Sequence, residues 1–340
     1  MPNQTSAEPA RTLRVRAFDV PKGAHTAGDG LIIVDKPQGL SSHDVVARVR
    51  RLAATKKVGH AGTLDPMATG VLICGVGRAT RLLTYIVGAD KTYQATIRLG
   101  QATSTDDAEG EILETRGANL ESVEEKLRPA TAQLTGNILQ VPSSVSAIKV
   151  DGQRAYARVR AGEDVKLAAR PVTVTQFDVC GAPREVLVDK DTKAVDIDVE
   201  VTCSSGTYIR ALARDLGAAL GVGGHLTSLR RTRVGSFDLS SARSINELAE
   251  QVAQANEASQ AVQVMAMNEA LPKVMECITL PQSQAEAFRH GQAPKDLYSK
   301  HEQCPEILGV LDGKGRALGV LGFTKGQAKT LLVLAPAGCD

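Results

Sequence analysis

Lys57-Val58-Gly59-His60-Ala61-Gly62-Thr63-Leu64-Asp65-Pro66-Met67-Ala68-Thr69-Gly70 leads directly into an apolar run, Val71-Leu72-Ile73-Cys74. Its glycines and its proline punctuate a loop from Gly59 to Gly70, and the apolar run predicts a buried strand. An aspartate that precedes proline is biased away from helical backbone geometry. Glycines on both sides let a partner approach the main chain closely. A carboxylate so placed can act as a nucleophile or a base. The Asp-Pro pair taken alone does no more than open a turn.

Upstream, Leu31-Ile32-Ile33-Val34 predicts another buried strand, and Asp35-Lys36-Pro37-Gln38-Gly39 a turn. Ser42 reads as a helix N-cap, followed by Val45, Val46, Val49 and Leu52 at helical spacing. Arg48, Arg50, Arg51, Lys56 and Lys57 cluster on and after that helix. Such a face is ordinarily just solvated, although it could also grip phosphates. Downstream, Tyr93, Ala95, Ile97 and Leu99 alternate on one strand face, and Ile197, Val199 and Val201 on another. Thr103 to Gly110 is an acidic turn, and Leu120, Val123 and Leu127 mark a helix. A second helix runs from about Tyr208 and is closed by Gly221. Strands and helices alternate irregularly, which predicts a mixed α/β catalytic domain. Near Ala253 the composition shifts to Gln, Ala and Asn, marking a helix end or linker. Beyond Pro272, two apolar runs flank Asp312-Gly313-Lys314-Gly315, a hairpin signal, and the short strands predict a small β-barrel or sandwich.

The 340 residues are enough for about two domains, and 43% hydrophobic against 23% charged content supports a sizeable core. Aromatics are 3% with no Trp, which argues against an aromatic single-strand stacking surface. No apolar run reaches ~18 residues, so no membrane helix is expected. The first 30 residues lack a signal-peptide core. Forty Lys and Arg against 38 Asp and Glu leave a net charge of +2, so any polyanion footprint must be local. The six cysteines form no CxxC pair and read as free buried thiols in a reducing compartment, the cytoplasm. The sequence carries no P-loop, HExxH, G-x-S-x-G or dinucleotide fingerprint, so phosphoryl transfer, zinc hydrolysis, serine hydrolysis and hydride transfer lack their usual anchors. Thr105-Asp106-Asp107-Ala108-Glu109 lacks the ligand order of a calcium loop.

Several blocks then fall in one order: Asp35 to Gly39, Ser41 to Val46, Lys57 to Pro66, Lys91-Thr92-Tyr93, Thr105 to Gly110, Gln140 to Ser143, Ser146 to Lys149, Ser205 to Arg210, His225-Leu226 and Leu229-Arg230-Arg231. Together they closely resemble the bacterial TruB family, tRNA pseudouridine synthases acting on the T-loop uridine at position 55 of tRNA. The resemblance runs from about Gly30 to Arg231 and more loosely to the C-terminus. It implies the pseudouridine-synthase fold, a mixed α/β (α+β) architecture with a central, mainly antiparallel sheet flanked by helices. The expected organisation is a flexible tail over 1–28, a catalytic domain over 29–255 with a thumb insertion at about 147–171, and a PUA-like RNA-binding β-barrel over 272–338.

The reaction so implied breaks the uracil N1–C1′ bond, turns the base and joins C5 to C1′. It is redox-neutral and needs no cofactor and no metal. Asp65 becomes the catalytic aspartate, attacking base or sugar or abstracting a sugar proton. Tyr93 resembles the tyrosine that stacks on the target base and helps remove the C5 proton, and Arg210 the arginine that pairs with the catalytic aspartate. Tyr208 and Leu229 resemble residues lining the uracil pocket, and His60 the histidine that packs where the T loop opens. Asp107 aligns with an acidic residue that contacts RNA or supports the site, and Lys36 with a strand-end lysine under the active-site floor. Because the target uridine is buried in folded RNA, it has to be flipped out. Arg230, Arg231 and the thumb residues Arg154 and Arg158 are expected on phosphates. The expected partner is the tRNA stem-loop, bound by a monomer without an obligate protein partner. The alternatives are the guide-RNA-dependent branch of these enzymes, against which the thumb segment argues, and a non-catalytic RNA chaperone.

Overall fold

The first two apolar runs pair with each other. In the computed structural model, which describes residues 19–143, 149–150, 153–154, 167–295, 297, 307–324 and 326–338, the chain falls into two units. One comprises Met1–Pro66, Gly70–Val87 and Gly235–Asp340, the other Met67–Thr69 and Gly88–Val234. The first unit begins with β1 (Gly30–Lys36), α1 (Ser42–Leu52), β2 (Val58–Ala61), β3 (Thr69–Val76) and α2 (Leu83–Val87). β1 and β3 run antiparallel from Gly30 opposite Val76 to Lys36 opposite Gly70. Both are buried along almost their whole length, which is why they read as continuous apolar runs instead of alternating ones.

The N-cap of α1 lies one residue earlier than expected. Ser41, not Ser42, is the N-cap, and Ser41 and Asp44 close a reciprocal capping box. Of the arginines expected on a solvated face, Arg50 and Arg51 are exposed and also donate to the carbonyls of Val58 and Val20, whereas Arg48 is buried and donates to the Asp44 carbonyl. The expected loop after Lys57 begins as β2, whose Gly59 and His60 have little strand preference of their own but pair with Gly75 and Cys74 of β3. The expected flexible tail is tied down from its last ten residues onward. Val20 and Ala27 are buried, and the Gly23 and Ala27 amides donate to Arg51 and Ala53 at the end of α1. The remainder of that tail lies outside the described residues.

The second unit holds β4 (Lys91–Leu99), β5 (Gln101–Thr103), β6 (Ile112–Thr115), α3 (Leu120–Gln133), β7 (Gly136–Gln140), β8 (Lys149–Val150), β9 (Gln153–Arg154), β10 (Arg170–Leu187), β11 (Lys193–Cys203), α4 (Ile209–Ala219) and β12 (Gly224–Val234). Its strands lie in the order β12-β4-β11-β10-β7, every neighbour antiparallel. The Tyr93, Ala95, Ile97 and Leu99 face of β4 is buried as its alternation predicts. α4 follows the expected bounds: Tyr208 is the N-cap, Ile209, Leu212, Ala213 and Leu216 are buried, and Gly221 turns the chain with φ +75°. Most of the expected thumb lies outside the described residues, which show the short β8–β9 pairing of Lys149 with Arg154.

The chain returns to the first unit with β13 (Phe237–Asp238), β14 (Arg243–Ser244), α5 (Ile245–Glu257), β15 (Met265–Ala266), α6 (Met267–Val274), β16 (Cys277–Leu280), α7 (Gln282–Arg289), β17 (Ile307–Asp312), β18 (Ala317–Thr324) and β19 (Gln327–Val333). The β17–β18 hairpin forms where its turn signal predicts, with Asp312 accepting from the Lys314 and Arg316 amides. Among the described residues the C-terminal strands, from which a small barrel or sandwich is expected, make a four-stranded sheet, β16-β17-β18-β19, without closing into a barrel. Ala285 and Phe288 of α7 pack on Val310, Leu318 and Leu321, supplying the second layer that a barrel draws from its own far wall. Cys74 and Cys203 are buried as expected, whereas Cys180 is exposed; Cys304 and Cys339 lie outside the described residues. Among the described residues no helix is long and apolar enough to cross a membrane.

The close approach of α4 to the start of β12 yields a test. A Cβ on Gly217 would sit 2.2 Å from the main chain of Gly223 and Gly224. Alanine favours a helix interior over glycine by ~1 kcal/mol, yet Gly217→Ala is expected to lower the melting temperature, because backbone cannot move aside cheaply. A thermal melt equal to or above wild type would show that this helix–strand contact is loose.

Candidate functional site

In the first unit the residues on both sides of Asp65 are fixed by groups distant in sequence. The Lys36 ammonium, fully buried at the end of β1, donates to the carbonyls of Leu40 at 2.6 Å, Pro37 at 3.0 Å and Pro66 at 3.3 Å. The Gly39 amide adds a second donor to Pro66 at 2.8 Å, with Gly39 at φ +89° as the turn requires. The Ser42 hydroxyl donates to the Leu64 carbonyl at 3.0 Å and accepts from the Leu64 amide at 2.8 Å. This explains the shifted helix cap: Ser41 closes α1 and frees the buried Ser42 to hold the loop. Asp65 itself remains half-buried. Lys36 therefore acts on the loop that carries Asp65, from beneath it at the end of β1.

His60 lies on β2, half-buried, with its ring edge-to-face against that of His43 at 5.6 Å between centroids. His43 is exposed in the first turn of α1. It stands inside one of the resembling blocks, but nothing in the sequence pairs it with His60; the fold does.

In the second unit Arg210, in the first turn of α4, forms a buried ion pair with Asp107 at 3.4 Å and donates to the Thr105 carbonyl at 2.9 Å. Asp107 also accepts from the Thr105 hydroxyl at 2.5 Å and the Glu109 amide at 3.0 Å. Removing either partner would leave a buried charge uncompensated. Tyr93 on β4 is 7% exposed. Tyr208 is positioned through its main chain: the Gln140 amide group donates to its carbonyl at 3.1 Å and accepts from its N–H at 2.9 Å. Leu229 is buried on β12, and Arg230 is half-buried, donating to the Thr69 hydroxyl at 3.3 Å.

Arg231 is the correction in this group. It is 1% exposed, on the inward face that β12 shares between Leu229 and Arg231, so it does not present its guanidinium to a phosphate. Its charge instead lies near Lys91, whose ammonium is lowered to about 8, first by burial and then by Arg231. Arg154 lies on β9, its side chain outside the description, and Arg158 lies outside the described residues. Ser42, Gln140 and Ser143 stand in resembling blocks, yet only the fold shows what they hold. Among the described residues no group of three or more His, Cys, Asp or Glu side chains converges as a metal site would. A surface cavity of about 560 Å³ in the second unit is lined by Arg116, Asn119, Ser122, Glu185 and Lys193, and by none of the candidate residues.

Comparison with known proteins shows the family of the chain. Residues 50–209 match the model of the TruB family pseudouridylate synthase N-terminal domain, and residues 210–276 that of the tRNA pseudouridylate synthase B C-terminal domain. The chain is 63% identical over 314 residues to a protein of Arthrobacter sp. (strain FB24) named tRNA pseudouridine synthase B, covering 91% of this chain and 97% of the relative. It is 52% identical over 308 residues to the protein of that name from Thermobifida fusca (strain YX), covering 90% and 99%. Among solved structures it is similar to a chain of an H/ACA RNP bound to a substrate RNA containing 2′-deoxyuridine, with TM-score 0.65, 24% identity and coverage of 91% and 86%. A Cbf5-Nop10-Gar1 complex gives TM-score 0.64 at 22% identity, covering 94% and 93%. At these identities the structures show a shared fold.

Two outcomes follow from the geometry. Ser42→Ala strands the Leu64 amide and carbonyl, and is expected to destabilise the protein by ~1–3 kcal/mol in denaturant titration; an unchanged midpoint would mean that Ser42 does not pin the loop. For Lys91, a folded pKa near 8 against 10.5 for the free side chain means that the unfolded chain binds more protons between those values. Stability contributed through this group therefore rises with pH across that window. Lys91→Met removes the titration, so the wild type should gain stability relative to the variant between pH 7 and 9.5. A constant difference across that range would place Lys91 in water.

Proposed function

The chain belongs to the TruB family of pseudouridylate synthases, and we propose that it isomerises the T-loop uridine of tRNA to pseudouridine with Asp65 as the catalytic carboxylate. The observation that carries this reading is the loop itself. Asp65 is half-buried between two residues, Leu64 and Pro66, whose main chain is held by Ser42, Lys36 and Gly39. A carboxylate on a fixed support is placed for reaction before substrate arrives, so less ordering is left to the reacting complex.

The chemistry needs little else. The N1–C1′ bond breaks, the base turns, C5 joins C1′, C5 loses its proton and N1 gains one. Atoms and electrons balance within the nucleotide. Asp65 attacks the sugar or the base, or takes a sugar proton. Tyr93 stacks on the base and helps remove the C5 proton, and Arg210 is the cationic partner of the catalytic carboxylate. Tyr208 and Leu229 line the uracil pocket, and His60 packs where the T loop opens. Unstacking the uridine costs a few kcal/mol, offset by stacking and pocket contacts. Arg230 and the thumb residues Arg154 and Arg158 hold phosphates.

The relatives named tRNA pseudouridine synthase B, similar over nearly their whole length, support tRNA as the substrate. We read the chain as acting alone, as a monomer in the cytoplasm, with an RNA-binding C-terminal domain over 272–338. The guide-RNA branch shares the fold at 22–24% identity and has the weaker support. Single-turnover assays on an unmodified tRNA test the reading. Asp65→Asn is expected to abolish pseudouridine formation while leaving tRNA affinity within about tenfold, or ~1.4 kcal/mol. Turnover near the wild-type rate would remove Asp65 from the chemistry, and a wild type that binds tRNA without converting it would make the protein an RNA chaperone.

A further inference from the structure

Asp106 is a non-glycine residue in the left-handed region, φ +59°, and its carboxylate is almost wholly buried. Burying a carboxylate is costly unless it is paired, and the left-handed step, which aspartate tolerates better than most residues, is easier still for glycine. A turn that only had to reverse here would be made more cheaply with glycine or asparagine. The side chain shows what offsets the cost. One carboxylate oxygen accepts from the fully buried Ser143 hydroxyl and from the Arg214 guanidinium at 3.2 Å. Arg214 also donates to Asp215 at 2.9 Å and to the Val141 carbonyl at 2.7 Å, just beyond β7. The main chain of Asp106 is held as well, donating to the Thr103 carbonyl at 3.3 Å and accepting from the Leu226 amide at 3.0 Å.

The neighbours of Asp106 are the partners of Arg210. The Thr105 carbonyl lies 2.9 Å and the Asp107 carboxylate 3.4 Å from that guanidinium. Arg210 and Arg214 are four residues apart on α4 and share one face. They grip three consecutive residues of one turn: Arg210 takes Thr105 and Asp107, and Arg214 takes Asp106 between them. A shift of the turn against the helix by one residue would break both sets of contacts.

We propose that Asp106, Ser143 and Arg214 are positioning residues for the isomerisation, a second grip that holds the 105–107 turn so that Arg210 is presented in its working geometry. The proposal rests on the reading of the chain as a pseudouridine synthase. None of the three touches substrate in this account; they act through Arg210 and Asp107.

The test uses the full chain and an unmodified tRNA transcript. It measures the single-turnover rate at saturating enzyme, the tRNA dissociation constant and the melting temperature. Asp106→Gly keeps the left-handed step and deletes the grip; Asp106→Asn keeps an oxygen that can accept from Ser143 and Arg214. Asp106→Gly and Arg214→Ala are each expected to slow turnover at least tenfold with the dissociation constant within twofold. Asp106→Asn should retain more activity than Asp106→Gly. The Asp106→Gly/Arg214→Ala pair should be no slower than the slower single variant, because the two remove one shared interaction. Should Asp106→Gly fail to fold, Asp106→Asn and Arg214→Ala carry the same comparison. Single-turnover rates within twofold of wild type, or losses confined to tRNA affinity, would overturn the proposal while the wild-type activity stands. A wild type that forms no pseudouridine would overturn the functional reading and this proposal with it.

Discussion

An ammonium group with no exposed surface sits at the end of β1 and is held by main-chain carbonyls of Leu40, Pro37 and Pro66. Burying such a cation costs several kcal/mol unless its donors are used, and a lysine has three to use. The arrangement has a geometric consequence. Pro66 lies 30 residues from Lys36, and its carbonyl must come to the strand end if the charge is to be satisfied. The loop that carries Asp65 is thereby drawn to a rigid, fully buried strand. Ser42 fixes the other flank through Leu64. The carboxylate between them gains a fixed support without being buried itself.

The second unit repeats the principle with different chemistry. Gln140 holds both polar groups of the Tyr208 main chain, and so sets the entry to α4, on whose first turn Arg210 stands. Arg210 is then surrounded by the 105–107 turn, which Arg214 holds from the next turn of the same helix. In the first unit the neighbours of Asp65 carry bonds that fix its loop; in the second, Arg210 is itself buried and bonded directly to the turn.

Much of this was legible in the sequence where periodicity or punctuation is strong. β1 and β3 appear as unbroken apolar runs because both faces are covered, and α4 shows helical spacing with Gly221 at its end. β2 was not legible, since Gly59 and His60 become strand only through pairing with β3. The short C-terminal strands are legible as a small barrel or sandwich, but strand patterns do not reveal that Phe288 of a neighbouring helix packs against the sheet. Among the candidate site residues, Asp65, Tyr93 and Arg210 come from the resemblance and not from local chemistry. The inward turn of Arg231 was missed because a run of two arginines looks like surface until the alternation of β12 assigns each a face. Ser42 was mistaken for a cap because two adjacent serines are equivalent until one of them bonds Leu64.

We propose that this chain alone isomerises a uridine at one place in tRNA. The most direct measurement is to incubate purified protein with an unmodified tRNA transcript, adding no other protein or guide RNA, and to map pseudouridine along the whole molecule. The account predicts a single modified position, the T-loop uridine, formed without any added cofactor. A transcript left unmodified, or modified only when a guide RNA is supplied, would contradict it.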